Sequence, residues 1–288
     1  MSEKYKHKTN LTTSEKLWNS DQNEYWTDLW ENHEYSMEEY LYDDNWVSVK
    51  QSQILQLLLQ RINKQNKIIE AGCGVGQWVI FLKDLGYDII GVDFSENLIS
   101  SLKKKYPNYS FHVDDVTNFS YPDDSFSCIL SWGVVEHFEV GPQKALNEAY
   151  RILKTGGMMF ITVPCQNHLY RILYPIYKIK TSIVTSSLLR RLLKKKPFHY
   201  EFFQYDFRRS TFKSFLQKTG FTVIETVPIS YEFGFALEMK KNLSLDFYKN
   251  GANKKWNGLT RTGDFLSTSL NRFSKWLTPH MMLFIVKK

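Results

Sequence analysis

The stretch KIIEAGCGVGQWVIFL, residues 67–82, narrows the possible folds more than any other part of the chain. An apolar run from Lys67 to Ala71 carries one acid, Glu70, and gives way to three glycines spaced by two, Gly72, Gly74 and Gly76. A helical apolar pattern then resumes at Gln77. A strand that ends in glycines and opens a helix brings backbone N–H groups and a helix N-terminus to one point, with no side chain to hold a ligand off. Dinucleotides, phosphates and adenosyl compounds all suit such a bend, so the glycines alone leave the ligand open.

The remainder of the chain fixes the fold class. Short apolar runs at 67–71, 88–92, 109–113, 126–131, 157–163, 221–226 and 281–286 read as strands. Helical patterns fall between them at 77–85, 95–105 with Ser95 as N-cap, 142–154 opening at Pro142, and 209–219 stopped by Gly220. Strand and helix in alternation predict an α/β chain, doubly wound, with a mostly parallel seven-stranded sheet covered on both faces. Residues 1–60 read as a mainly helical segment rich in aromatics, with Trp26 and Trp30 one turn apart. They form an N-terminal cap, either packed as an aromatic stripe or closing as a lid, on a domain of residues 61–288.

Composition excludes several classes. Three cysteines scattered over 288 residues make neither a disulfide framework nor a paired-thiol zinc site, and a reducing cytoplasm is expected. The first residues are polar, without an apolar signal segment, and no run reaches the roughly 18 apolar residues that span a bilayer. The net charge of +7 is concentrated: residues 165–200 carry eight Lys and Arg and no acid, whereas residues 20–45 carry acids and no Lys or Arg.

Three features choose the ligand. A dinucleotide fingerprint needs a glycine at position 77, where Gln77 stands. Glu70 would repel a pyrophosphate but suits a ligand with an ammonium and a sulfonium. Asp93 ends the next strand, where an acid can accept from both hydroxyls of a ribose. Together they point to S-adenosylmethionine.

Residues 68–164 resemble the class I S-adenosylmethionine-dependent methyltransferases, in the small-molecule subgroup often called type 11. The matching pieces are IIEAGCGVGQ, GYDIIGVDFSENLI, VDDVTNFSYPDDSFSCILSWGVVEHF, ALNEAYRILKTGG and MMFITVP, continued by FFQYDFRRSTFKSFLQKTGFTVIE at 202–225. The resemblance implies the Rossmann-like fold of that family and a role for each matching residue. Glu70 and the backbone at Gly72 and Gly74 hold the methionine end, Gly76 completes the cofactor-binding bend, Asp93 takes the ribose, and Phe94 lies against the adenine. Asp115, or its neighbour Asp114, accepts from the adenine amino group beside the Val116 N–H. Ser131 and Trp132 line the methyl-transfer pocket, and His137 is the candidate base, imidazole titrating near neutral pH. Relatives that bind a divalent metal begin this last segment with an acid; Gly133 stands there, and no metal is expected.

Nucleic acid is disfavoured, because SWGV at 131–134 lacks the Asn/Asp-Pro-Pro-aromatic run of amino-methylating enzymes and Pro164-Cys165 follows the fifth strand rather than the fourth. The basic insertion, residues 165–207, is expected on the acceptor side. Four readings of it stay open: a solvated helix docked on the acidic residues 20–45, an interfacial element at 170–197 resting on anionic lipid at the inner membrane surface, a pocket for an anionic acceptor, and, last, RNA. The expected activity is methyl transfer to a small-molecule, glycan or lipid-linked acceptor, at oxygen. The alternatives are an NAD-dependent oxidoreductase and a non-catalytic S-adenosylmethionine-binding protein.

Overall fold

The computed structural model of the protein describes residues 3–7, 53–194, 201–250 and 256–288. Its elements run β1 Glu3–His7, α1 Gln53–Leu59, β2 Lys67–Ala71, α2 Gln77–Asp84, β3 Asp88–Asp93, α3 Glu96–Lys105, β4 Phe111–Val113 and β5 Phe126–Trp132. After a 3₁₀ turn at Val135–His137 come α4 Gln143–Ile152, β6 Leu153–Pro164, α5 His168–Thr185, α6 Ser187–Leu192, β7 Glu201–Asp206, α7 Arg209–Thr219 and β8 Thr222–Ile229. The chain finishes with α8 Tyr231–Glu238, a π-turn at Met239–Leu243, β9 Tyr248–Asn250, β10 Trp256–Leu259, α9 Arg261–Phe273 and β11 Met281–Lys287.

Seven strands make the main sheet in the order β4, β3, β2, β5, β6, β11, β8. The β4–β3, β3–β2, β2–β5 and β5–β6 pairs are parallel. In β2 the residues from Ile68 to Ala71 are all buried, as expected of a central parallel strand with both faces covered. The last strand is reversed: Gly156 and Gly157, near the start of β6, exchange backbone hydrogen bonds with Lys288 at the chain's end, so β11 runs antiparallel to β6.

The strand expected at 157–163 begins earlier. Phe126 pairs with Leu153 but Cys128 with Met158, so the residues between bulge out of the ladder. The two glycines make this possible: Gly156 sits at φ +80°, and a Cβ on Gly157 would come within 2.9 Å of the Ser127 carbonyl oxygen. Ser95 caps α3, its Oγ accepting from the Leu98 N–H at 3.4 Å.

Only the ends of the predicted helical cap lie within the described residues. Gln53–Leu59 is helical, whereas Glu3–His7 is a strand that pairs antiparallel with Glu201–Asp206. The aromatic stripe at Trp26 and Trp30 and the acidic residues 20–45 fall outside the described residues. Nothing in EKYKH marks it as a strand until its partner, far on in the sequence, is present.

The chain divides into two units. One holds Thr9–Val163 with Ser210–Val227 and Leu283–Lys288; it contains the glycine bend and most of the main sheet. The other gathers β1, Pro164–Arg209 and Pro228–Met282, so residues 228–282 fold with the basic insertion, a grouping the sequence does not announce. Its core packs Leu169 and Leu173 of α5 with Phe235, Ala236 and Leu259. A Cβ at Gly234 would run into the Thr278 carbonyl, which fixes glycine there.

This second unit buries titratable groups. Burial pushes Glu238 up to about 7, against the Asn242 amide that donates to its Oε2 at 2.7 Å, and Asp206 adds to the rise. Burial and Lys241 press His280 down to about 4, which keeps it neutral. An acid whose pKa rises on folding holds its proton more tightly in the native state, so its ionisation opposes the fold. For Glu238 the opposition is absent below the unfolded value near 4.5, grows through about 7, and reaches about 3 kcal/mol above it. Glu238→Gln therefore raises the melting temperature at pH 8 by roughly 5 °C, with the gain vanishing as pH falls toward the unfolded value; parallel melts of parent and variant across pH check it.

Candidate functional site

The glycine bend is held from the end of β3. The N–H groups of Gly72 and Cys73 donate to the Val92 carbonyl at 2.8 and 2.9 Å. The Asp93 carboxylate then takes the Gly74 N–H on Oδ2 and the Ser95 N–H on Oδ1, each at 3.1 Å. All three glycines have positive φ, +76°, +50° and +76°. Two of them are required by the protein itself. A Cβ on Gly72 would lie 2.6 Å from Val134 Cγ2, and one on Gly76 would lie 2.5 Å from the Phe111 ring. Gly91 of β3 is equally constrained, by Val79 and Cys73.

Two carboxylates face this bend, and neither has a salt-bridge partner among the described residues. Glu70 is 2% exposed, and burial drives its pKa well above the usual carboxylate value. The Val79 N–H in the first turn of α2 opposes that rise, and the negative charge of Asp93 adds to it. Asp93 is also pushed up by burial, against its three backbone donors at Ser95, Gly74 and Phe94. Among the described residues Glu70 Oε2 finds no hydrogen-bond partner, nor do Gln77 Oε1 at the start of α2 and Trp132 Nε1 at the end of β5. Three orphaned buried polar atoms around one bend suit a polar ligand, and two buried acids without a counter-charge suit a cationic one.

The next edge is set by the loop after β4. Asp114 accepts from the N–H of Ser120 on both oxygens at 3.2 Å and from the Ser120 hydroxyl at 3.1 Å, so it is spent on closing its own loop. Asp115 is exposed and, among the described residues, takes the Thr117 N–H and hydroxyl, at 2.8 and 2.9 Å, which leaves it lone pairs to spare. Phe94 is 40% exposed and Val113 45%, apolar surface beside these acids.

Arg151 of α4 anchors this loop, and sequence patterns alone do not single it out. It donates to the carbonyls of Tyr121 and Phe119 at 2.8 and 3.0 Å, and it pairs with Glu148 and Asp123, each at 2.8 Å. Glu148 closes the circuit by accepting from the Phe119 N–H at 2.9 Å. The signal is present as an acid and an arginine three apart in NEAYR, a pattern that ordinarily describes only a solvated helix face.

At the end of β5, Ser131 is buried and shares a small void with Val116, Val135 and Ala145, while Trp132 packs its ring on Trp78 at 5.1 Å. His137 is half-buried at the end of the 3₁₀ turn, after a buried Glu136. Every residue singled out from the sequence, from Glu70 to His137, thus lies at the carboxyl ends of β2, β3, β4 and β5 or in the segments that come after them, the usual ligand edge of an open α/β sheet. Among the described residues no group of three His, Cys, Asp or Glu is placed to hold a metal ion. Burial raises the thiols of Cys73, Cys128 and Cys165, and Cys165 donates to the Pro279 carbonyl at 3.2 Å rather than standing ready as a nucleophile.

Residues 44–226 match the sequence profile of the methyltransferase domain. A probable S-adenosylmethionine-dependent methyltransferase of Mycolicibacterium smegmatis is 27% identical over 97 residues, 34% of this chain and 37% of that protein. A demethylmenaquinone methyltransferase of Chlorobaculum parvum is 26% identical over 176 residues, 59% of this chain and 71% of that protein. The crystal structure of a SAM-dependent methyltransferase from Archaeoglobus fulgidus shares the fold, with a TM-score of 0.50 at 18% identity over 82% of this chain and 91% of that one.

The packing around the bend is directly testable. Gly72→Ala adds a Cβ against Val134 at a left-handed φ and should cost about 2 kcal/mol of stability. Adding Val134→Ala removes the clash but not the backbone strain, so urea melts of the double variant should recover only part of the loss.

Proposed function

The chain belongs to the methyltransferase-domain family of class I S-adenosylmethionine-dependent enzymes, and on that premise we propose that it moves a methyl group to a small-molecule or lipid-linked acceptor, at oxygen. The observation that carries the reading is the pair of buried carboxylates that have no counter-charge among the described residues, one of them with an oxygen left unpaired there, at a glycine bend.

S-adenosylmethionine brings an electrophilic methyl on a sulfonium, so the residues need to bind, align and keep water out rather than supply a nucleophile. Glu70 takes the ammonium of the methionine end, aided by the backbone of the glycine bend. Asp93 keeps acceptor capacity beyond that used by the Gly74, Ser95 and Phe94 N–H groups and accepts from the ribose diol. Asp115 is the better placed of the two neighbouring acids for the adenine amino group, because Asp114 is engaged with Ser120. Phe94 covers one adenine face with its exposed ring. His137 takes the hydroxyl proton of the acceptor as the new O–CH3 bond forms and the sulfonium becomes a thioether.

The acceptor reading draws on the demethylmenaquinone methyltransferase likeness, which supports a small molecule, and on the basic insertion, which supports an amphiphilic or anionic one.

Four outcomes test this. S-adenosylhomocysteine should raise the melting temperature, and an unchanged melt at saturation overturns the reading. Glu70→Gln leaves the Asp93 clamp intact and should weaken that binding at least tenfold, about 1.4 kcal/mol. Because burial raises the Glu70 pKa in the free protein and a bound cation favours its ionised form, binding should release a proton and tighten as pH rises toward that raised value. Calorimetry in buffers of different ionisation enthalpy reads the proton directly, and the variant should show none. Finally, cell extract supplied with methyl-labelled donor should yield a labelled product, which His137→Ala slows by about 10²-fold or more without changing the thermal shift; a thermal shift with no product in any extract indicates ligand binding without catalysis.

A further inference from the structure

Outside the glycine bend, the most unusual surface among the described residues lies on α5 and α6. One side of α5 is committed to its own unit: Leu169, Tyr170 and Leu173 are buried, and Lys180 donates to the Lys241 carbonyl and the Ser244 hydroxyl at 3.3 and 2.8 Å. The helix is therefore fixed in rotation. Its open side carries Ile172, Ile176, Ile179 and Ile183, exposed by 66%, 44%, 63% and 53%. Their spacing of four, three and four places all four on one narrow stripe. Leu188 and Leu192 of α6, exposed by 69% and 71%, continue the apolar surface one turn apart.

A solvated helix does not need four isoleucines in line, and isolated exposed apolar residues would not fall in register. Arg171 and Lys178, both exposed, lie about a quarter-turn from the stripe on the same open side, and Arg191 and Lys194 are exposed beyond it. Over residues 165–200 eight Lys and Arg stand with no Asp or Glu. Apolar stripe and cationic flank together match a surface that is apolar below and anionic above. No helix of the described residues is long and apolar enough to cross a membrane, so the element would lie on a bilayer and not span it.

We infer that the isoleucine stripe of α5, with its cationic flank and the leucines of α6, docks on an anionic lipid surface. The isoleucines enter the boundary between headgroups and acyl chains, and the Lys and Arg side chains meet the lipid phosphates. The inference stands independently of methyl transfer, since it uses no residue of the glycine bend.

Flotation of the full chain with vesicles tests it. The protein should rise with phosphatidylcholine vesicles containing phosphatidylglycerol and stay behind with phosphatidylcholine alone, and added salt should weaken the binding. Ile172→Ser, Ile176→Ser and Ile179→Ser combined should lower the bound fraction at least about tenfold, and Arg171→Glu with Lys178→Glu should do likewise on anionic vesicles only. Both variants should keep the parent's thermal shift with S-adenosylhomocysteine, which separates loss of lipid binding from loss of fold or of donor binding. Absence of the parent from anionic vesicles, or equal flotation of parent and isoleucine variant, overturns the inference. A concentration-dependent dimer that the isoleucine variant abolishes, without vesicle binding by the parent, also overturns it and assigns the stripe to a second copy of the chain.

Discussion

The Asp93 carboxylate ties the end of β3 to the glycine bend and to the start of α3 at once, through the N–H groups of Gly74 and Ser95. With the Val92 carbonyl holding Gly72 and Cys73 just before it, the bend becomes an extension of the sheet and not a free loop. The direction of α2, and with it the placing of the Val79 N–H toward Glu70, depends on that attachment. Under the proposed function, donor binding and the stability of the bend share this one residue, and a change at position 93 alters both.

The opposite edge is organised from a distance. Arg151 holds the carbonyls of Phe119 and Tyr121 while Glu148 holds the Phe119 N–H, so α4 sets the course of the loop that carries Asp114 and Asp115. A guanidinium suits this because its planar fork reaches two carbonyls and two carboxylates together, where an ammonium would meet fewer at fixed angles. Asp114 and Asp115 are identical in chemistry and adjacent in sequence, yet the fold spends one on Ser120 and leaves the other facing out. No sequence pattern offers ground for that choice, because it depends on how the loop closes.

Much else was legible. Apolar runs and their spacing placed the strands of the main sheet within a few residues, because parallel strands buried on both faces leave an unbroken signal. The early start of β6 escapes notice because a bulge at Gly156 and Gly157 looks like a turn. Most of residues 228–282 carry little local signal for a related reason: Phe235, Ala236 and Leu259 acquire their partners from α5, far off in sequence, and a short segment whose core lies elsewhere shows little periodicity of its own. Strand β1 is the extreme case, five polar-looking residues defined by β7 alone.

The sequence by itself determined the α/β order, the glycine bend, and the two acids that bracket it, since these rest on local backbone freedom and on period. The tertiary structure alone decided that Gly72 and Gly76 answer to Val134 and Phe111, that Glu70, Gln77 and Trp132 each keep one buried polar atom unpaired among the described residues, and that four isoleucines share one open stripe. Those are statements about which atoms come within a few ångströms of which others, or of none, and that is settled only when every element is packed.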